Sequence, residues 1–227
     1  MTCTRRKFLL GMAPGAVVFV ALPHAALAAG AAPVRYVMIH DEQRCNGCDI
    51  CVTACRKVNK VPARATRLTI ARVVLEDTNQ FTEYRFFRAS CQHCEDAPCI
   101  SVCPTGASYR DSKTGIVRVN ARQCIGCSYC LSACSYQVRY LNQQTKVADK
   151  CDFCLESRLS KGFAPICVTA CPQKALIFGR EDSEIVQAWL KDNKHYQFQL
   201  PNMGKPYLYR RFAQHRIAKL KEGGTTL

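Results

Sequence analysis

Sixteen of the seventeen cysteines in this 227-residue chain fall into four groups of four. The first, Cys45, Cys48, Cys51 and Cys55, is spaced C-x2-C-x2-C-x3-C, and the third, Cys124, Cys127, Cys130 and Cys134, repeats that spacing. The second, Cys91, Cys94, Cys99 and Cys103, widens one gap to four residues and is followed by Pro104. The fourth, Cys151, Cys154, Cys167 and Cys171, has a twelve-residue gap and is followed by Pro172. A chain of this length can build an apolar core without cross-links, so these thiols need a role beyond packing. All-cysteine zinc sites use two separated C-x2-C pairs, not three cysteines on one short turn. A net of eight disulfides has no reason to repeat one spacing, although an exported protein could carry one. Three thiolates on a tight turn can reach three corners of an Fe4S4 cube. The fourth starts the next helical turn and faces the other cluster of a pair. The pattern therefore predicts four [4Fe-4S] clusters held by cysteine alone, with no three-iron site.

Two groups match the bacterial ferredoxin run, and the other two are that run with a loop inserted. Gly47 and Gly126 lie inside the turns, where a missing side chain lets backbone N–H groups approach sulfur. Residues 103–127 read as a short strand near Ala107–Tyr109, a turn at Asp111–Gly115 and a strand at Ile116–Val119, the hairpin that joins two halves of a two-cluster ferredoxin. A strand at Val34–Ile39 precedes the first group, and one at Ala175–Phe178 follows the fourth. The expected fold is α+β: two ferredoxin-like modules, one nested in the other. The outer module takes residues 34–60 and 146–180, the inner 89–145, with a β-hairpin insertion at 61–88 and a C-terminal helix and basic tail at 181–227. Exchange of fourth cysteines then gives the ligand sets. Cluster 1 takes Cys45, Cys48, Cys51 and Cys171, and cluster 2 takes Cys91, Cys94, Cys99 and Cys134. Cluster 3 takes Cys124, Cys127, Cys130 and Cys103, and cluster 4 takes Cys151, Cys154, Cys167 and Cys55. The rival topology pairs the groups in chain order, but only nesting uses every strand signal.

The hairpin insertion is expected from Thr66–Leu75 and Phe81–Arg88, joined by Asp77, Thr78 and Asn79. The insert between Cys154 and Cys167 carries Lys161-Gly162 and Pro165, a loop with short helical turns. A helix is expected over Ser183–Asp192, capped by Ser183, with Ile185, Val186, Trp189 and Leu190 on one face and Trp189 as a packing anchor. The tail from Lys194, with Lys205, Tyr207, Tyr209, Arg210, Arg211 and Arg216, reads either as a clamp for a partner or as a solvated end. His93 lies within the second group, but the cysteines already complete the ligand count, so it reads as a neighbour of the cluster or as exposed. No haem-attachment motif, Walker loop, dinucleotide fingerprint or nucleophile with its base is present.

The N-terminus opens with Thr4-Arg5-Arg6-Lys7-Phe8-Leu9, continues as an apolar run broken by Gly11, Pro14 and Gly15, and reaches Ala26-Leu27-Ala28. It looks like a twin-arginine export signal over residues 1–28, a route for folded, cofactor-loaded proteins, and it is too broken for a membrane span. Removing it takes away Cys3 and lowers the net charge from +15 to +12. Four oxidised clusters, each roughly −2 with its thiolates, would bring the holoprotein to about +4. Most of the basic excess thus balances cluster charge, which argues against a nucleic-acid role. Hydrophobic residues at 48% and charged residues at 22% describe a folding chain.

With these features, the chain resembles the four-cluster electron-transfer subunits of bacterial respiratory oxidoreductases. The stretches RYVMIHDEQRCNGCDICVTACRKVNKVP, YRFFRASCQHCEDAPCISVCPTGASYRD and TKVADKCDFC resemble the NrfC-type subunits of formate-dependent nitrite reduction in particular. That resemblance implies a non-catalytic relay in the periplasm, held at the membrane by an NrfD-type quinol-oxidising partner. Electrons would pass to a periplasmic multihaem cytochrome c nitrite reductase system. It also supports nesting. The alternative is a relay subunit of a molybdopterin oxidoreductase of the polysulfide, thiosulfate, tetrathionate or dimethyl sulfoxide reductase type. Ser135 departs from the family, where proline often follows the third group.

Overall fold

The computed structural model describes residues 34–77, 82–201 and 203–211. The expected export signal, the turn residues Thr78 and Asn79, and Arg216 lie outside the described residues.

Strand β1 (Tyr36–Asp41) is the organising strand. It pairs antiparallel with β8 (Leu176–Arg180), matching Tyr36 to Arg180 and His40 to Leu176. On its other edge β9 (Leu208–Arg211) runs parallel, matching Met38 to Leu208 and Asp41 to Arg211. A central strand covered on both faces is buried along its length, and Val37 to Asp41 are all buried, the polar His40 and Asp41 included. Alternation splits the strand between two cores. Val37 and Ile39 pack with Val186, Tyr207 and Tyr209. Met38 faces the larger core of Leu68, Ile116, Phe153, Leu176 and Leu208, which also holds Cys51, Cys55, Cys151 and Cys167. His40 shares the face of Met38 and is fully buried.

After β1 comes helix α1 (Ile50–Val58). Strands β2 (Leu68–Asp77) and β3 (Thr82–Ser90) pair antiparallel, with a register shift between Val74 and Glu76. Helix α2 (Pro98–Ser101) leads to β4 (Ser108–Arg110) and β5 (Val117–Val119), which pair with each other. Helix α3 (Tyr129–Ser132) leads to β6 (Tyr140–Leu141) and β7 (Ala148–Asp149), a ribbon that the sequence reading did not foresee. A 3-10 turn at Leu159–Lys161 and α4 (Ile166–Thr169) fill the long insert and its exit, and α5 (Glu184–Asp192) follows β8. Helix α1 packs on α4, and α2 packs on α3.

Two details of the C-terminal expectation are corrected. Ser183 occupies the N-cap position of α5, but its Oγ donates to the Arg180 carbonyl at 2.7 Å rather than accepting from the helix N-terminus. Ile185 is 73% exposed. The strip of α5 that meets β1 is narrow, and Val186, Trp189 and Leu190 fill it. The tail, as far as Arg211, is not a solvated end: Tyr207, Leu208, Tyr209 and Arg210 are buried.

Glycine is required at Gly126, where φ is +72° and an added Cβ would stand 2.6 Å from the Lys146 carbonyl oxygen. Gly106 has φ +66° but open space around it. Gly126→Ala should therefore cost about 1–2 kcal/mol for the left-handed backbone plus a steric penalty, and Gly106→Ala only the first part. Thermal unfolding of the two variants should show the larger fall in Tm for Gly126→Ala; equal falls would contradict the packing at that turn. Leu208, 1% exposed, should lose about 2–5 kcal/mol as Leu208→Ala, while Ile185→Ala should change stability by less than about 0.5 kcal/mol. Chemical denaturation of both variants checks the pair.

Candidate metal centres

The last two members of each cysteine group are four residues apart: Cys51 and Cys55 both lie on α1, while Cys99, Cys130 and Cys167 lie on the short helices α2, α3 and α4, and Cys103, Cys134 and Cys171 follow just past the ends of those helices. On α1, Cys51 and Cys55 share a helix face but are displaced by about 6 Å along the axis, and Cys51 lines one cavity while Cys55 lies near Cys154. The packing of α1 on α4 and of α2 on α3 brings the groups together in pairs.

One cavity is lined by Cys45, Cys48 and Cys51 of the first group and Cys171 of the fourth, together with His40, Ile70, Pro172 and Leu176. A second is lined by Cys91, Cys94 and Cys99 of the second group and Cys134 of the third, with His93, Val117, Val138 and Met203. Asn59 Nδ2 lies 3.5 Å from Cys55 Sγ and 3.4 Å from Cys154 Sγ, tying the first group to the fourth. A thiolate at Cys167 would raise the Cys55 and Cys151 thiols, so these three sulfurs lie close together. For Cys103 with Cys124, Cys127 and Cys130, the link is the packing of α2 against α3. Cys48 and Cys127 are exposed.

All sixteen described cysteines are free of disulfides. Among the described residues, no three His, Cys, Asp or Glu side chains converge on a single metal ion. A zinc ion bound about 2.3 Å from each sulfur needs that convergence. A cubane, in which each iron takes its own thiolate, needs thiols spread around a cavity. The donor set of the two lined cavities fits such a cluster.

Buried thiols are surrounded by N–H donors. Arg88, with no exposed surface, places Nη1 3.3 Å from Cys167 Sγ and Nη2 3.5 Å from Cys151 Sγ, and its Nε donates to Ser90 Oγ at 2.9 Å. Arg139 does the same in the second pair of groups, donating Nη2 to Cys99 Sγ at 3.0 Å and to Ser108 Oγ at 2.9 Å. The backbone N–H groups of Ser108 and Ala175 lie 3.3 Å and 3.4 Å from Cys103 Sγ and Cys171 Sγ. Burial outweighs these donors at several thiols: it pushes Cys51 and Cys94 up to about 12 and Cys55 to about 11. At Cys103 slight burial opposes ionisation, but bonds from Ser108 and Thr105 outweigh it and lower the thiol. A thiolate in these cavities thus needs iron as a counter-charge, which couples cluster binding to loss of the thiol protons.

Two histidines adjoin the cavities. His93 is fully buried, which corrects the expectation that it could be exposed, and its ring lies 4.0 Å from that of Phe153. His40 carried no signal in the sequence; its neighbourhood is built by pairing of β1 with distant segments. Burial, with Arg88 and Arg210 adding, pushes His40 down to about 3, and burial with Lys150 and Arg110 lowers His93 well below its ordinary value. In each ring Nδ1 accepts a backbone N–H, from Arg88 and from Val117, so neither ring is doubly protonated.

Comparison with known proteins points the same way as this geometry. Residues 82–181 match the family model of a 4Fe-4S dicluster domain, a span that holds the second, third and fourth cysteine groups. The chain is 65% identical, over 96% of its length and 99% of the relative's, to the uncharacterized ferredoxin-like protein YdhX of Escherichia coli (strain K12). It is 50% identical to Protein NrfC of the same organism, covering 92% of this chain and 96% of that one. It is also 50% identical to the thiosulfate reductase electron transfer subunit PhsB of Salmonella typhi, over 82% and 96% of the two chains. Cysteine quartets in paired groups, cavities lined by thiols from both members of a pair, and kinship along almost the whole length place the chain in the NrfC-like family of ferredoxin-like iron–sulfur electron-transfer subunits.

Proposed function

We propose that this protein holds four [4Fe-4S] clusters and relays electrons from an integral-membrane quinol-oxidising partner of NrfD type to a periplasmic multihaem cytochrome c nitrite reductase system. The clusters supply one-electron capacity at each site; the chain supplies ligands, spacing and electrostatics and makes or breaks no bond itself. The proposed ligand sets are Cys45, Cys48, Cys51 and Cys171; Cys55, Cys151, Cys154 and Cys167; Cys91, Cys94, Cys99 and Cys134; and Cys103, Cys124, Cys127 and Cys130. The observation that carries the reading is the lining of single cavities by three thiols of one group and the fourth of another. That sharing supports two nested ferredoxin-like modules, each holding a cluster pair. Exposed Cys48 and Cys127 suit positions where electrons enter or leave. The guanidiniums of Arg88 and Arg139 offset thiolate charge inside each pair.

The nitrite-reduction role is supported by 50% identity to NrfC over 92% of the chain. The equal identity to PhsB favours a second reading, the relay subunit of a molybdopterin oxidoreductase. Stopped-flow mixing of the dithionite-reduced protein with a multihaem nitrite reductase separates the two. Haem reduction at a rate that saturates with cytochrome supports the first, and no transfer supports the second. We further propose export through the twin-arginine route and attachment to the membrane through the partner alone, on the strength of Arg5, Arg6 and the Phe8-Leu9 that follows.

Two outcomes follow from these assignments. Cys45→Ser should remove about a quarter of the iron and one outer-pair EPR signal while sparing the signals of the inner pair; loss of the inner signals alone would refute the nested ligand sets. Arg5→Lys combined with Arg6→Lys should leave the protein in the cytoplasmic fraction, and normal export of that variant would contradict the twin-arginine route.

A further inference from the structure

The rings of His40 and His93 are held in the same way at different places in the fold. His40 lies on β1, and its Nδ1 accepts the backbone N–H of Arg88 at 3.2 Å. His93 lies between Cys91 and Cys94, and its Nδ1 accepts the backbone N–H of Val117 at 3.1 Å. A nitrogen that accepts an N–H carries no proton, so in each neutral ring the proton sits on Nε2. Both Nε2 atoms are buried and have no hydrogen-bond partner among the described residues. Buried N–H donors are rarely left so, because an unmet donor costs about 1–3 kcal/mol. His40 lines the cavity of Cys45, Cys48, Cys51 and Cys171, and His93 lines that of Cys91, Cys94, Cys99 and Cys134. In each ring the Nδ1 edge is tied to backbone, and Nε2 is the one polar atom of the ring left without a partner among the described residues.

We infer that His40 and His93 are positioning residues that each donate an Nε2–H hydrogen bond to sulfur of one cluster, one in the outer pair and one in the inner pair, and so raise that cluster's reduction potential. The inference rests on the proposed cluster assignment. Its sign follows from charge: reduction adds an electron to the cluster, and an N–H donor stabilises the more negative state more. The other clusters take no such donor from these rings, so the two histidines separate the potentials within each pair. Backbone N–H groups near cluster sulfur act in the same sense, but a side chain can be exchanged without moving the chain.

Asparagine and glutamine divide the two functions of the ring. His40→Asn retains an acceptor near the Nδ1 position, able to hold the Arg88 N–H, and loses the Nε2 donor. His40→Gln retains a donor near the Nε2 position. EPR-monitored redox titration of the holoprotein should show one outer cluster about tenfold harder to reduce in His40→Asn, a fall of about 59 mV for a one-electron couple, with His40→Gln much closer to wild type. His93→Asn should do the same to one inner cluster and leave the outer pair alone. In wild-type protein labelled with 15N-histidine, pulsed EPR of the reduced clusters should detect a histidine nitrogen coupled to one cluster of each pair, together with a proton that exchanges in D2O. Full iron content with all four potentials unchanged in both Asn variants would overturn the inference. So would the absence of any histidine coupling in the labelled wild type, a measurement that needs no variant to fold. Wild-type protein without iron would instead overturn the cluster assignment itself.

Discussion

A thiolate in a low-dielectric interior is tolerable only beside a compensating charge, and this chain places sixteen cysteines in four compact groups. The rest of the structure answers that constraint. Burial, with neighbouring thiols adding, pushes Cys51 and Cys94 well above the ordinary thiol range, so the protein without metal favours them protonated. Iron supplies the main counter-charge, and the fold supplies the remainder through Arg88, Arg139, Asn59 and backbone N–H groups aimed at sulfur. A fully buried arginine would itself be costly without an anionic partner. Arg88 and the thiols of Cys151 and Cys167 therefore stabilise one another, and neither makes sense alone.

The same constraint explains the architecture. Two cavities each combine three thiols of one group with one thiol of another, Cys45, Cys48 and Cys51 with Cys171, and Cys91, Cys94 and Cys99 with Cys134. The helices must then pack in pairs, and β1 must meet β8 although some 140 residues separate them, because Tyr36 pairs with Arg180. Fold and cofactor binding thus depend on each other. The α1–α4 contact is also the contact between two cysteine groups, and the core that holds Met38 and Phe153 is the wall of the thiol-bearing interior.

What could be read in the sequence was local. The cysteine spacing, the β2–β3 ribbon and the short β4–β5 ribbon are set by residues within a few positions of one another, and the strand ends fall one or two residues from where the pattern put them. What could not be read was set by distant pairing. His40 has no motif of its own; its environment is made by the Arg88 N–H from the hairpin and by Cys171 and Leu176 from the far end of the chain. The parallel docking of β9 on β1 buries Tyr207 to Arg210, a stretch whose basic and aromatic composition fits a solvated tail equally well. On α5 the helical period placed Ile185 beside Val186, but the sheet covers a narrower strip than a full amphipathic face.

The central claim is that each cysteine quartet grips one iron–sulfur cube. Iron and acid-labile sulfide, measured per chain on protein purified without oxygen from cells able to assemble clusters, test it most directly. The account predicts about sixteen of each. A preparation with fewer than about twelve irons, or a colourless protein whose thiols all react freely with alkylating reagents, would contradict it.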